Sequence, residues 1–324
     1  MEKNLLFALD IGTRKIIGLI MQKTTAGFEV LASEMIEHST RAMLDGQIHD
    51  VQAVAATIQE IKQRLQGALG EELSAAAVAA AGRALKTARG TAVKSRSYVT
   101  EIGADEVRAL EIEAVQNAQQ TLARDDFGNK EAASYFCVGY SVMAYQLEDQ
   151  PIGNLVGQVG SRAGVEVIAT FLPRVVVDSL FSSLKRADLE VYSMTLEPIA
   201  ALAVAIPPNM RLLNLALVDI GAGTSDIAIV KNGNIFAYAM VPFGGDELTE
   251  HLAGTYLLDF NSAEALKCRL SVTEQVEFAD ILGNSLQLPS QEVIAVLEPL
   301  VKQLAAEICQ NIVVLNQKVP DAVL

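Results

Sequence analysis

The sequence predicts two α/β lobes facing one another, with a small α+β module inserted in the first. Three observations carry this expectation. In Leu215 to Val230, LALVDIGAGTSDIAIV, an apolar run ends in Asp219, a turn containing Gly221 and Gly223 follows, and Asp226 precedes renewed alternation through Ile227 and Ile229. That pattern is a strand, a tight glycine turn and a second strand folding back. The same grammar stands near the start, in Leu5 to Ile20, LLFALDIGTRKIIGLI, where Asp10 matches Asp219 and Gly12 matches Gly221. Two copies point to an internal duplication that holds one ligand between facing turns. Finally, 324 residues of which 51% are hydrophobic can build two separate cores.

Taken in order, FALDIG, IIGLIM and FEVLASEM predict a three-stranded meander over residues 1 to 36, separated by TRK and KTTAG. His49 to Leu69 places Val51, Val54, Ile58, Ile61 and Leu65 at helical spacing, with Asp50 as its cap. Leu73 to Ala81, bounded by glycines, reads as a buried strand. From Gly82 the elements become shorter and more polar: a strand through RGTAVKSRSYV, a helix from Asp105 to about Leu122, a strand from Ser134 to Tyr145, and a glycine-rich loop with a short strand to Gly164. The cations Lys86, Arg89, Lys94 and Arg96 read as a solvated strand face. A strand at Val165 to Phe171, a helix after Pro173, a short strand at Leu189 and a helix over LEPIAALAVAI follow, closed by Pro207 and Pro208. Beyond the second hairpin, Gly244 and Gly245 precede a helix, where bare amides would form an anion site. SAEALK is a short helix, Gly283-Asn284-Ser285 turns a hairpin, a long helix runs to Gln317, and an apolar strand begins at Ala322. The first lobe is expected at 1–82 and 164–213, the inserted subdomain at 83–163, and the second lobe at 214–253 and 298–324 with 254–297 as its small subdomain.

Charge and composition remove several function classes. The formal net charge is -14 and the basic residues are scattered, which leaves no footprint for a nucleic-acid backbone. The three cysteines have no CxxC spacing and the three histidines no metal-ligand spacing, so the thiols read as reduced and buried in a cytoplasmic protein. No apolar run reaches the ~20 residues of a membrane-spanning helix. GAGTSD lacks the third glycine of the dinucleotide fingerprint and leads into a strand rather than a helix, and neither a P-loop nor GxSxG occurs.

A phosphate chain bound with a divalent metal needs backbone N–H donors and carboxylates. Asp10, Asp219 and Asp226 supply the carboxylates. Gly12, Thr13, Gly221, Gly223 and Thr224 supply the donors, and Lys15 a point charge. Asp-Gly pairs also build ordinary turns, but two copies at strand ends favour the ligand site.

These residues carry a resemblance. DIGTRK (Asp10 to Lys15), EPIAAL (Glu197 to Leu202) and DIGAGTSD (Asp219 to Asp226) resemble the first phosphate, connecting and second phosphate motifs of the actin, sugar-kinase and heat-shock-chaperone ATPase superfamily. Within it, the insert after residue 82 and the AExxK-like SAEALK are similar to the bacterial cell-division family FtsA. The resemblance implies an actin/ribonuclease-H-like ATPase fold with ATP and Mg2+ between the lobes. Asp10, Asp219 and Asp226 would hold the metal, with Asp10 and Glu197 placing a hydrolytic water by geometry more than by a shifted pKa. Gly12, Thr13, Lys15, Gly221, Gly223 and Thr224 would grip the phosphates, Gly244 and Gly245 would lie near them, and Glu264 with Lys267 would touch the ribose or adenine.

It further implies weak ATP hydrolysis at most, self-association into protofilaments, and partnership with the tubulin-like FtsZ at the inner face of the membrane. Ala222 replaces the family's usual glycine. The family's adenosine motif and its C-terminal membrane helix should follow the strand at Ala322, so the expectation is of a truncated second lobe with weak ATP binding. A small-molecule kinase would need a further base in the cleft, and a scaffold that binds without turnover is the other alternative.

Overall fold

A computed structural model describes residues 5–25, 27–80, 85–125, 135–210 and 212–324; the expected boundary at Gly82 and the expected strand start at Ser134 lie outside them. The first sheet opens with β1 (Leu5–Ile11), β2 (Lys15–Thr24) and β3 (Gly27–Glu37), an antiparallel meander. A two-strand ribbon, β4 (Met43–Leu44) and β5 (Gln47–Ile48), leads into α1 (Val51–Leu69). Asp50 caps that helix, its Oδ1 accepting from the amides of Gln52 at 2.9 Å and Ala53 at 3.0 Å. Val54, Ile58, Ile61 and Leu65 are fully buried, spaced to form one stripe against the sheet. β6 (Ala75–Ala80) returns parallel to β1. Its alanines form a strand because helix-favouring propensity yields to burial between two neighbouring strands.

Next come β7 (Lys86–Glu101), α2 (Ala104–Asp125), β8 (Tyr135–Leu147), β9 (Gln150–Ile152) and β10 (Val159–Pro173), which form their own sheet in the order β7-β10-β8-β9 with α2 packed on it. β10 starts at Val159, earlier than the alternation at Val165 announces. Glu148 accepts from the amides of Ser161 and Arg162, at 2.5 and 3.1 Å, and ties this segment into the ladder. The cations of β7 are not merely solvated: Lys94 and Arg96 pair with Glu106 at 3.1 and 3.0 Å, and Arg89 stacks on Phe236 of the second lobe. Of the thiols expected to be buried, Cys268 and Cys309 are exposed and Cys137 is half-buried; all three are free.

After α3 (Arg174–Arg186), β11 (Glu190–Leu196) completes the first sheet, ordered β11-β6-β1-β2-β3. α4 (Glu197–Ala205) then touches β6 and β11 on one side and the next sheet on the other, and a 3-10 turn at Pro208–Met210 follows. The second lobe repeats the first meander as β12 (Leu215–Ile220), β13 (Ser225–Lys231) and β14 (Asn234–Val241). α5 (Gly245–Tyr256), α6 (Phe260–Arg269), β15 (Gln275–Ala279), β16 (Ser285–Pro289) and α7 (Ser290–Asn316) precede β17 (Ala322–Val323), which lies parallel to β12 as β6 does to β1. The sheet order β14-β13-β12-β17 is therefore that of the first lobe without its fifth strand. Leu304, Ile308 and Ile312 of α7 cover its inner face at Ala216, Ile227 and Ile229.

Candidate functional site

The two hairpin turns are built alike. In the first, Ile11 pairs with Ile16 and the Gly12 amide donates to the Lys15 carbonyl at 3.0 Å. In the second, Ile220 pairs with Ser225 and the Gly221 amide donates to the Thr224 carbonyl at 2.8 Å. Each closure leaves two residues at the tip, Thr13-Arg14 and Ala222-Gly223. The tips meet across the lobes: a Cβ on Gly223 would stand 3.0 Å from the Asp45 Cα and 3.3 Å from the Thr13 Cγ2, so the close approach calls for glycine. The Gly46 amide donates to the Thr13 hydroxyl at 3.1 Å and fixes the first tip from its own side. His38 supports it from below, its Nε2 3.2 Å from the Gly12 carbonyl, and burial holds that imidazole below its usual pKa so that the neutral ring donates.

Between the turns lies a cleft of about 460 Å³ lined by Asp10, Gly12, Thr13, Lys15, Glu197, Asp219, Gly221 and Thr224. The strand ends deliver Asp10 and Asp219, while Glu197 is the first residue of α4. Asp226 sits opposite Asp219 in the β12–β13 ladder, 7% exposed, and its Oδ2 accepts from the Thr224 hydroxyl at 3.3 Å. Four carboxylates thus crowd one partly desolvated space. Burial, then repulsion from Asp10, Asp226 and Asp219, pushes Glu197 up to about 9, so at neutral pH it keeps its proton and shares a hydrogen bond with Asp10. Burial likewise raises Asp10, aided by Asp219 and opposed by that hydrogen bond and by Lys15. Asp226 is pushed up to about 6 by burial, against the Thr224 hydrogen bond. Burial and crowding thus disfavour ionisation of Glu197, Asp10 and Asp226, most strongly of Glu197.

A family model described as cell division protein FtsA matches residues 216–298. FtsA of Pseudomonas aeruginosa is 27% identical over 273 residues, covering 82% of this chain and 60% of the relative. FtsA of Escherichia coli strain K12 is 22% identical over 334 aligned positions, covering 98% and 74%. The chain therefore spans well under the whole length of both relatives. Among solved structures, the PilM-PilN type IV pilus biogenesis complex superposes with a TM-score of 0.67 at 14% identity, covering 97% of this chain and 78% of that one. The ethanolamine utilization protein EutJ of Carboxydothermus hydrogenoformans gives 0.52 at 18% identity, covering 96% and 72%. The chain has the actin-like ATPase fold and is similar to FtsA.

In this actin-like frame the remaining expected residues lie at the start of α5, against the second turn, and on α6. A Cβ on Gly244 would lie 2.6 Å from the carbonyl oxygens of both Gly221 and Ala222. The amides starting α5 are not bare: Gly244 donates to Glu247 Oε2 at 2.7 Å, Gly245 to the Gly221 carbonyl at 3.0 Å, and Asp246 to the Ala222 carbonyl at 2.7 Å. The turn's own carbonyls occupy the positive end of the helix. Gly244 and Gly245 accordingly hold the second turn from behind rather than opening an anion site. Glu264 and Lys267 form an ion pair at 2.7 Å on α6, and the Lys267 amine also donates to the Gly245 carbonyl and the Thr249 hydroxyl, both at 2.8 Å. Glu264 borders a second cavity, away from the four carboxylates.

Arg14 is the site residue that sequence reasoning missed. It lines both cavities and reaches across to Asp246 of α5 and, at 3.4 Å, to Glu264. The signal available was a second cation beside Lys15 in the first turn.

Proposed function

We propose that the chain binds a magnesium nucleoside triphosphate, ATP, between its two hairpin turns and serves as an FtsA-like component of bacterial cell division. The single observation that carries this reading is the convergence of two matching turns and three carboxylates, Asp10, Glu197 and Asp219, on one cleft, with Asp226 beside Asp219 in the ladder. The raised pKa values fit a site awaiting a cation. Among the described residues no three His, Cys, Asp or Glu side chains form a ready-made metal cage; Mg2+ keeps much of its water and takes oxygens from phosphate. Asp10, Asp219 and Asp226 would hold it, and it would neutralise the phosphate oxygens.

Because Gly12 and Gly221 use their amides to close the turns, the phosphates would be met by the amides of the two central residues of each turn. Lys15 supplies charge from the first lobe. Glu197, protonated and tied to Asp10, would place a water and take its proton only once that cluster is neutralised. Hydrolysis is accordingly slow at most. The resemblance to FtsA supplies the setting: further copies of the chain and FtsZ as partners, in the cytoplasm at the inner face of the membrane. No helix among the described residues is long and apolar enough to cross a membrane.

Isothermal calorimetry of Mg·ATP against the protein and Asp219→Ala tests the site. Binding in the first and none in the second is expected; equal affinity in both would refute the assignment.

A further inference from the structure

We propose that Arg14 and Arg41 form a latch that holds the two lobes together across the cleft mouth and sets how fast a ligand enters and leaves. The proposal concerns regulation of the cleft described above and rests on that reading for its purpose, though not for the latch itself.

Both arginines belong to the first lobe, Arg14 in the β1–β2 turn and Arg41 just before β4. Every partner belongs to the second. Arg14 pairs with Asp246 of α5 and Glu264 of α6, and Arg41 pairs with Glu250 of α5 at 2.8 Å. The two guanidinium groups also converge on one ring, Phe260 at the start of α6, with Cζ atoms 4.9 and 4.6 Å from its centroid. Two cations from separate segments meeting one aromatic ring and three carboxylates on the opposite lobe is more than a chance surface pair.

The surroundings make these contacts decisive. Here the lobes face each other across a cavity of about 690 Å³ rather than through packed apolar side chains. Closure at this mouth therefore depends on a few polar and cation–π contacts, which can open without breaking a core. The Arg14 limb is the stronger, since its side chain and that of Asp246 are 22% and 10% exposed, against 45% and 52% for Arg41 and Glu250. Arg14 also lines the carboxylate cleft, so an anionic ligand there competes with Asp246 and Glu264 for the same guanidinium. Ligand and latch are coupled through one side chain.

Hydrogen exchange of segments 37–43 and 260–268, compared between the protein and Arg14→Met/Arg41→Met, tests this without any ligand. Exchange roughly tenfold faster in the double variant is expected, the scale of losing one charge-assisted contact, with α1 unchanged. Raising salt from about 50 to 500 mM should accelerate the protein but not the variant. Glu250→Gln, a milder change at an exposed position, should give a smaller shift in the same direction. Stopped-flow release of a fluorescent ATP analogue should be faster in the double variant. Identical exchange in all three proteins would overturn the latch. If exchange differs as expected while the analogue binds none of them, the latch stands and the nucleotide reading fails.

Discussion

Replacing Glu197 by glutamine tests the electrostatics of the cleft most directly. The folded protein pushes this carboxyl from 4.5 up to about 9, so between those values the native state holds a proton that the unfolded chain has released. Stability then falls as pH rises through the window, by about 1.4 kcal/mol for each pH unit crossed. The full window corresponds to about 6 kcal/mol as an upper bound, and the hydrogen bond shared with Asp10 divides that burden between two groups. Glutamine keeps a donor for Asp10 but cannot ionise. Urea denaturation at pH 5, 7 and 9, with chelator present, should show the protein losing several kcal/mol relative to Glu197→Gln across the range. The two should be similar near pH 5, with the variant clearly more stable at pH 9. Parallel curves would show that the carboxylates are not crowded as the structure has them, and a protein that gains on the variant with rising pH would reverse the sign of the argument.

Two further substitutions probe the frame that positions these groups. Gly244→Ala places a Cβ 2.6 Å from two carbonyl oxygens, so it should cost about 1–3 kcal/mol by overpacking, read from chemical denaturation. Loss of Mg·ATP heat should accompany it, because the second turn is displaced. Ile58→Ala empties a fully buried position between α1 and the first sheet. It should cost about 2–5 kcal/mol with ligand affinity unchanged in calorimetry below the melting range.

What could be read in the amino-acid order is what short range determines. The β1–β2 and β12–β13 hairpins announce themselves by alternation around a glycine turn, and α1 by a stripe of aliphatic residues after Asp50. The strand at Ala322 was legible as an apolar run, but its place beside β12 is seen only in the structure, where it repeats the parallel pairing of β6 with β1. Harder to see were the start of β10, set by Glu148 across a turn, and the exposure of Cys268 and Cys309, which depends on how helices sit rather than on residue type.

The contacts between lobes were not legible, and the reason is physical. Arg14 and Asp246 are 232 residues apart, and nothing in TRK names an acidic partner at that distance. The same holds for α5, whose Gly244-Gly245 start looks like an anion site until two carbonyls of the Gly221 turn are found against its amides. Those carbonyls explain why the second turn can approach Asp45 so closely: it is held rigidly by a helix end, while the first turn is held by His38 and Gly46. Each tip is therefore fixed within its own lobe, and the Arg14 contacts join the two lobes at the cleft mouth. A site assembled from two preformed halves needs such a cross-lobe contact, and a turn residue that borders both cavities is where the first lobe can supply it.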